Sequence, residues 1–125
     1  MRARNLSAIV GATFVILGIL GFAVGGFSGF VDRSGVILIF FRLNPLQSVI
    51  HVVIGMTLLR AAAAGEIRSA ALSGGFLLVA LGVLGFVVPA DLNLLALNRA
   101  VDILHLAGGV ALLGAAQMGA ERKTS

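Results

Sequence analysis

The chain has 125 residues, the size of one domain, of which 59% are apolar and 11% charged; a soluble domain carries about a quarter charged residues, so these charges cannot cover a water-facing surface and the surface must face lipid. The formal charge of +4 comes from eight arginines and one lysine, placed singly or in pairs between apolar runs, which is the pattern of membrane flanks and excludes a nucleic-acid surface. The absence of cysteine excludes disulfides, thiolate metal sites and cysteine catalysis.

The first charge-free stretch runs from Asn5 to Val31 behind Arg2 and Arg4. It is far longer than the roughly 7–15 apolar residues of a signal-peptide core, so it is expected to be retained as the first span. Its glycines recur at helical spacing: Gly11, Gly18 and Gly25 at heptad intervals, and Gly21 with Gly25 as a small-xxx-small pair.

The connection from Asp32 to Leu43 is not plainly polar. Val36-Ile37-Leu38-Ile39-Phe40-Phe41 is apolar but too short to span. The reading is a short segment, about residues 35–41, lying in the outer interface or packed on the bundle. Asn44-Pro45 then opens the second span as N-cap and first helical residue. That span runs from Leu43 to Leu59 and extends through Ala61–Ala64 while Arg60 snorkels to the headgroups. A short connection at Gly65-Glu66 makes the second and third spans antiparallel neighbours.

The third span covers Ser69 to Ala90 and the fourth Ile103 to Ala120, with a small-residue stripe at Ala107, Ala111, Ala115 and Gly119. All four stretches fall in the working range of about 17–25 residues for a transmembrane helix. With both termini cytoplasmic, Arg2, Arg4, Arg60, Arg68, Arg122 and Lys123 lie inside and Arg33, Arg42 and Arg99 outside, which satisfies the positive-inside rule. Tryptophan and tyrosine are absent, so phenylalanine and the flanking arginines must anchor the interfaces.

The spans repeat in pairs. Gly18-Ile19-Leu20-Gly21-Phe22 matches Gly82-Val83-Leu84-Gly85-Phe86, and Gly11 matches Gly75 in the same frame. Leu43-Asn44 matches Leu97-Asn98, His51 matches His105, Gly55 matches Gly109, and Leu58-Leu59 matches Leu112-Leu113. The expected architecture is therefore all-α: an integral membrane four-helix bundle of two parallel-repeat helical hairpins, one over about residues 5–64 and the other over about 65–120. Gly18, Gly21, Gly25, Gly55, Gly82, Gly85 and Gly109 are its candidate helix-packing positions.

Polar groups at membrane depth are costly and turn toward the bundle interior. The set here is His51, His105, Asp102, Gln47, Ser48, Asn44, Asn98 and Thr57. The candidate site comprises His51, His105, Asn44, Asn98, Asp102 and Ser48. Each histidine follows its asparagine by seven residues, close to two helical turns, on one face. Two histidines on facing helices could ligate a haem b iron. One histidine with Asp102 could contact a quinone. Two histidines alone make an incomplete zinc site, so no metal is assigned. The structural reading has each neutral imidazole hydrogen-bonded across the bundle to a backbone carbonyl, an asparagine or its repeat partner. Arg99 and Asp102, three residues apart, read as a solvated interfacial ion pair, with a proton relay through Asp102 and His105 as the other reading.

The stretches Asn44-Pro45-Leu46 with Val49 through Gly55, and Leu97-Asn98 with Leu104-His105-Leu106, resemble a bacterial domain-of-unknown-function family of small four-span membrane proteins. Gly18 through Phe22 fits that family's first helix. The family pattern places further polar residues three and four positions before each histidine; here those positions hold Ser48 and Gln47, and Asp102 and Val101. The resemblance covers most of the chain. It implies a fold and imports no activity.

No nucleophile–base set, phosphate loop or paired carboxylates are visible, so no catalytic residue is assigned. The expectation is an uncharacterised multi-pass protein of the bacterial cytoplasmic membrane, surrounded by lipid and without a cofactor. Its reading is a non-catalytic structural or accessory subunit that packs as a homo-oligomer or within a larger membrane complex. The alternative is a haem- or quinone-binding redox or carrier protein using the two histidines.

Overall fold

The structure, a computed structural model, describes residues 2–124, with side chains described from Arg2 to Met118. The expectations placed on Gly119, Ala120, Arg122 and Lys123 lie outside the described side chains. Four helices carry the fold: α1 (Ala3–Gly25), α2 (Pro45–Ala64), α3 (Ile67–Val87) and α4 (Arg99–Thr124). α1, α2, α3 and the Arg99–Met118 part of α4 are each long and apolar enough to cross a membrane.

Local chemistry sets the helix ends. α1 stops at Gly25, six residues short of the expected Val31, because Gly26 turns to φ +70° while its N–H closes on Phe22 O at 2.8 Å. α2 begins as the sequence predicts. Asn44 Oδ1 accepts from the Gln47 N–H, Pro45 fills the first position, and Gly65 ends the helix in the left-handed conformation. α3 ends two residues before Pro89, whose ring disfavours helical geometry at the preceding residue. α4 starts at Arg99 rather than Ile103, because Asn98 Oδ1 accepts from the Val101 N–H at 3.1 Å and draws the polar first turn into the helix.

The apolar connection departs from a purely helical fold. Val36–Leu38 (β1) and Phe41–Leu43 (β2) pair antiparallel, with Val36 opposite Leu43 and Leu38 opposite Phe41. β-branched and aromatic residues favour extended backbone, and six residues are too few for a stable helix. The two-residue turn is Ile39-Phe40, and Ile39 sits at φ +59°, a region a β-branched residue rarely enters. Ile39 and Phe40 are 76% and 71% exposed, while Leu43 at the other end is fully buried. One side of the segment thus packs on the bundle and its tip projects outward.

α1 packs chiefly on α2, and α3 chiefly on α4. Both pairs run antiparallel and are seated on glycine. A methyl group at Gly11 would stand 2.9 Å from Gly55 O, and one at Gly18 would stand 2.7 Å from Ser48 O. In the other pair, Gly75 meets Leu113 and Gly109, and Gly82 meets Leu106 and Asp102 O. Lipid offers no hydrophobic drive between helices, so close backbone approach and its dispersion energy hold them. Of the candidate packing glycines, Gly18, Gly21, Gly55, Gly82, Gly85 and Gly109 meet the partner helix of their own pair, and Gly25 meets Val36 of β1.

Burial follows the same frames. Phe14 and Leu78, 64 residues apart, are both buried. So are Leu58 and Leu112, Ala61 and Ala115, and Ala62 and Ala116, each 54 apart. Phe14, Leu58, Leu78, Leu112, Ala115 and Ala116 belong to one core, and a second cluster of Leu17, Leu43, Leu97 and Val101 closes the end that carries the β-hairpin. The expected stripe on α4 is only partly internal: Ala115 is buried, whereas Ala107 faces outward.

Candidate functional site at the bundle centre

His51 and His105 each occupy the seventh position of their helices, α2 and α4. Those two helices lie on a diagonal and their backbones scarcely approach one another. The two imidazoles bridge the gap, Nε2 to Nε2 at 2.9 Å, with both residues essentially inaccessible. One Nε2 must donate and the other accept, so the pair shares a single proton at this contact. Phe14 on α1 closes over them, edge-on to His51 (centroids 5.0 Å, 68°) and stacked on His105 (5.9 Å, 17°). Each Nδ1 is buried without a hydrogen-bond partner.

Asp102 departs from expectation. The sequence predicts a solvated ion pair with Arg99, but Asp102 is 1% exposed while Arg99 is 63% exposed. Arg99 reaches Asp102 Oδ2 only at 3.4 Å and lays its guanidinium 4.2 Å from the centroid of the Phe86 ring. The carboxylate is inside because Gly85 has no side chain: a Cβ there would collide with Asp102 Oδ1. Oδ1 finds no partner. Ser48, the counterpart of Asp102 at an interval of 54, is buried in the matching slot against Gly21, and its Oγ is likewise unpartnered.

The asparagines stand apart from the histidines as caps and ties. Asn44 caps α2 and donates through Nδ2 to Leu94 O at 2.7 Å and Asp32 O at 3.1 Å. Asn98 caps α4 and donates to Phe40 O at 3.0 Å. Asn44 and Asn98 are 54 residues apart, and so are their acceptors Phe40 and Leu94. Each hairpin therefore holds the loop of the other by one reciprocal bond. Gln47, buried beside Asn44, has its side-chain amide against Arg42 O and Leu95 O, and with the nitrogen turned toward them it donates at 2.8 Å and 3.2 Å. Thr57 donates to Val53 O within α2 and takes no part in a site.

The loops at this end are pinned by further polar contacts. Arg33 donates to Asp91 O at 2.7 Å. The Asp32 carboxylate accepts from the Ser34 hydroxyl at 2.7 Å and the Ser34 N–H at 3.0 Å, which holds it below the usual carboxylate range.

The placement of these groups limits the chemistry. Axial ligands on one iron stand about 4 Å apart, twice a typical metal–nitrogen bond of about 2 Å. Two Nε2 atoms bonded to each other at 2.9 Å leave no such gap. Asp102 lies in its own slot against Gly85, not open to a quinone ring between the histidines. Among the described residues, no three histidine, aspartate or glutamate side chains gather to hold a metal ion.

A family model described as a domain of unknown function (DUF4383) matches residues 4–118, nearly the whole chain. The chain belongs to the DUF4383 family. Comparison with curated proteins and with solved structures found no match. The DUF4383 membership agrees with the resemblance to a domain-of-unknown-function family of four-span membrane proteins, and the match covers all four apolar helices.

Two contributors in this DUF4383 chain escape sequence reading. Phe14 has a sequence signal only in hindsight, through its frame with Leu78. Asn93 ties its own loop twice, accepting from Leu97 N–H and donating to Leu97 O, both at 2.9 Å. Nothing in its local sequence separates it from an ordinary loop asparagine.

Proposed function

We propose that this DUF4383 protein is a non-catalytic multi-pass protein of the bacterial cytoplasmic membrane, a structural or accessory subunit that packs as a homo-oligomer or in a larger membrane complex. The 2.9 Å bond between His51 and His105 carries this reading. The polar groups best placed for chemistry are turned on each other, on helix ends and on glycine slots. Such interhelical bonds contribute about 1–2 kcal/mol or less in membranes, enough to select one register among glycine-seated helices that could otherwise slide. Both termini face the cytoplasm in this scheme, and the apolar tip of the β-hairpin, with Phe27, gives the outer-interface anchoring that tryptophan and tyrosine usually supply.

Crosslinking in native membranes followed by blue-native electrophoresis tests the assembly. A ladder or a discrete larger species is expected; a strictly monomeric chain without neighbours overturns it. The His51→Ala/His105→Ala double variant tests the role of the pair. Lower thermal stability with no change in absorbance or extracted quinone is expected. A Soret band or a co-purifying quinone lost in that variant would replace this reading with a redox or carrier function.

A further inference from the structure

At the end opposite the β-hairpin, a cleft of about 790 Å³ opens between the start of α1 and the α2–α3 turn. Arg2, Arg4 and Arg68 line it, with Glu66 as the one carboxylate among the described residues and Ile67 and Leu72 among its apolar walls. Among the described residues, no carboxylate lies within ion-pair distance of any of these three arginines. The two helices that begin here, α1 and α3, have no side-chain cap, whereas α2 and α4 at the other end are capped by Asn44 and Asn98. Exposed N–H groups and two positive helix ends therefore add to the three guanidinium groups.

We infer that this cleft binds the phosphodiester headgroup of an anionic membrane lipid. Guanidinium forks and free N–H groups match phosphate oxygens. The apolar walls suit the glycerol and first acyl carbons, which a free phosphate lacks. Glu66 suits a headgroup that carries a hydroxyl donor beyond the phosphate, as phosphatidylglycerol does. The three arginines are on the side that the positive-inside count assigns to the cytoplasm, where the leaflet is anionic. The inference is independent of the role proposed for the histidine pair.

The test is native mass spectrometry of the full chain released from nanodiscs containing equal amounts of phosphatidylglycerol and phosphatidylcholine with the same acyl chains. One retained phosphatidylglycerol per chain is expected. Its affinity should fall about five-fold for each of Arg2→Gln, Arg4→Gln and Arg68→Gln. Ser69→Trp, which places an indole in the cleft and leaves every charge in place, should weaken retention. Arg33→Gln/Arg42→Gln at the opposite end should leave it unchanged. All of these positions except Arg42 are exposed, and melting curves identify any variant whose fold is altered. Equal retention of the two lipids, or retention unchanged in all three arginine variants, overturns the site. Binding of inorganic phosphate in lipid-free micelles, with no preference between the lipids, assigns the cleft to a free anion and overturns the lipid assignment.

Discussion

His51 and His105 meet Nε2 to Nε2 at 2.9 Å across a diagonal of the bundle whose helices are otherwise scarcely in contact. The pair fixes the distance between α2 and α4, and Phe14 seals it from α1. Removing one imidazole leaves the other buried with both ring nitrogens unpartnered. His51→Ala and His105→Ala should each destabilise the protein by about 1–3 kcal/mol. The double variant should lose less than the two single losses combined, because the contact can be removed only once. Equilibrium unfolding in mixed micelles measures all three, and strict additivity would show that the rings do not interact.

The reciprocal bonds of Asn44 and Asn98 combine two functions that substitution can separate. Asn98→Asp keeps an acceptor for the Val101 N–H but has no donor for Phe40 O. Asn98→Ala loses both. The alanine variant should be destabilised by about 1 kcal/mol through the lost cap, plus the tie between hairpins, whereas the aspartate variant should lose only the tie. Asn44→Ala should show the larger effect of the two alanine variants, because Asn44 makes two donor bonds where Asn98 makes one. Thermal melts followed by circular dichroism give the order.

Gly85 and Asp102 are a lock and its key. Gly85→Ala puts a methyl group into the Asp102 carboxylate and should destabilise the protein by about 1–3 kcal/mol. Asp102→Ala empties the slot, so Gly85→Ala in that background should be much less damaging. If Gly85→Ala has the same effect with or without Asp102, the buried position of the carboxylate is wrong.

Ile39 occupies the first turn position of the β-hairpin at φ +59°, where glycine has no steric penalty. Its side chain is largely exposed, so little packing is lost on its removal. Ile39→Gly should raise the melting temperature in micelles, by relieving a backbone conformation of order 1 kcal/mol. In the arrangement proposed above, the same change in bilayers removes an apolar contact with the interface. The gain should therefore be smaller there, and the comparison between the two media isolates the anchoring role of the tip.

The helices and their partners were legible because two strong signals agreed: charge-free stretches of spanning length and glycines recurring in fixed frames. Asn44-Pro45 announced its helix start, since both residue types act through local geometry. The burial of Asp102 was not legible. It depends on a missing side chain at Gly85 on another helix, and the nearby Arg99 suggested a solvated pair instead. The β-hairpin was seen only as an apolar segment too short to span, because six residues without a glycine or asparagine at the turn lack the usual hairpin signature. The direct contact of the two histidines was one of several open readings. Sequence periodicity placed each on an inward face and could not tell whether the faces met.

The exchange of loop bonds by Asn44 and Asn98 has a consequence for the link between the hairpins. Gly65 has open space around it where a side chain would be, while the ties that join the two halves lie at the far end and at the bundle centre. Covalent continuity through the α2–α3 turn is therefore not what keeps the halves in register. Two separately translated pieces, cut at that turn, should therefore still reassociate in the bilayer through the His51–His105 contact and the Asn44 and Asn98 ties.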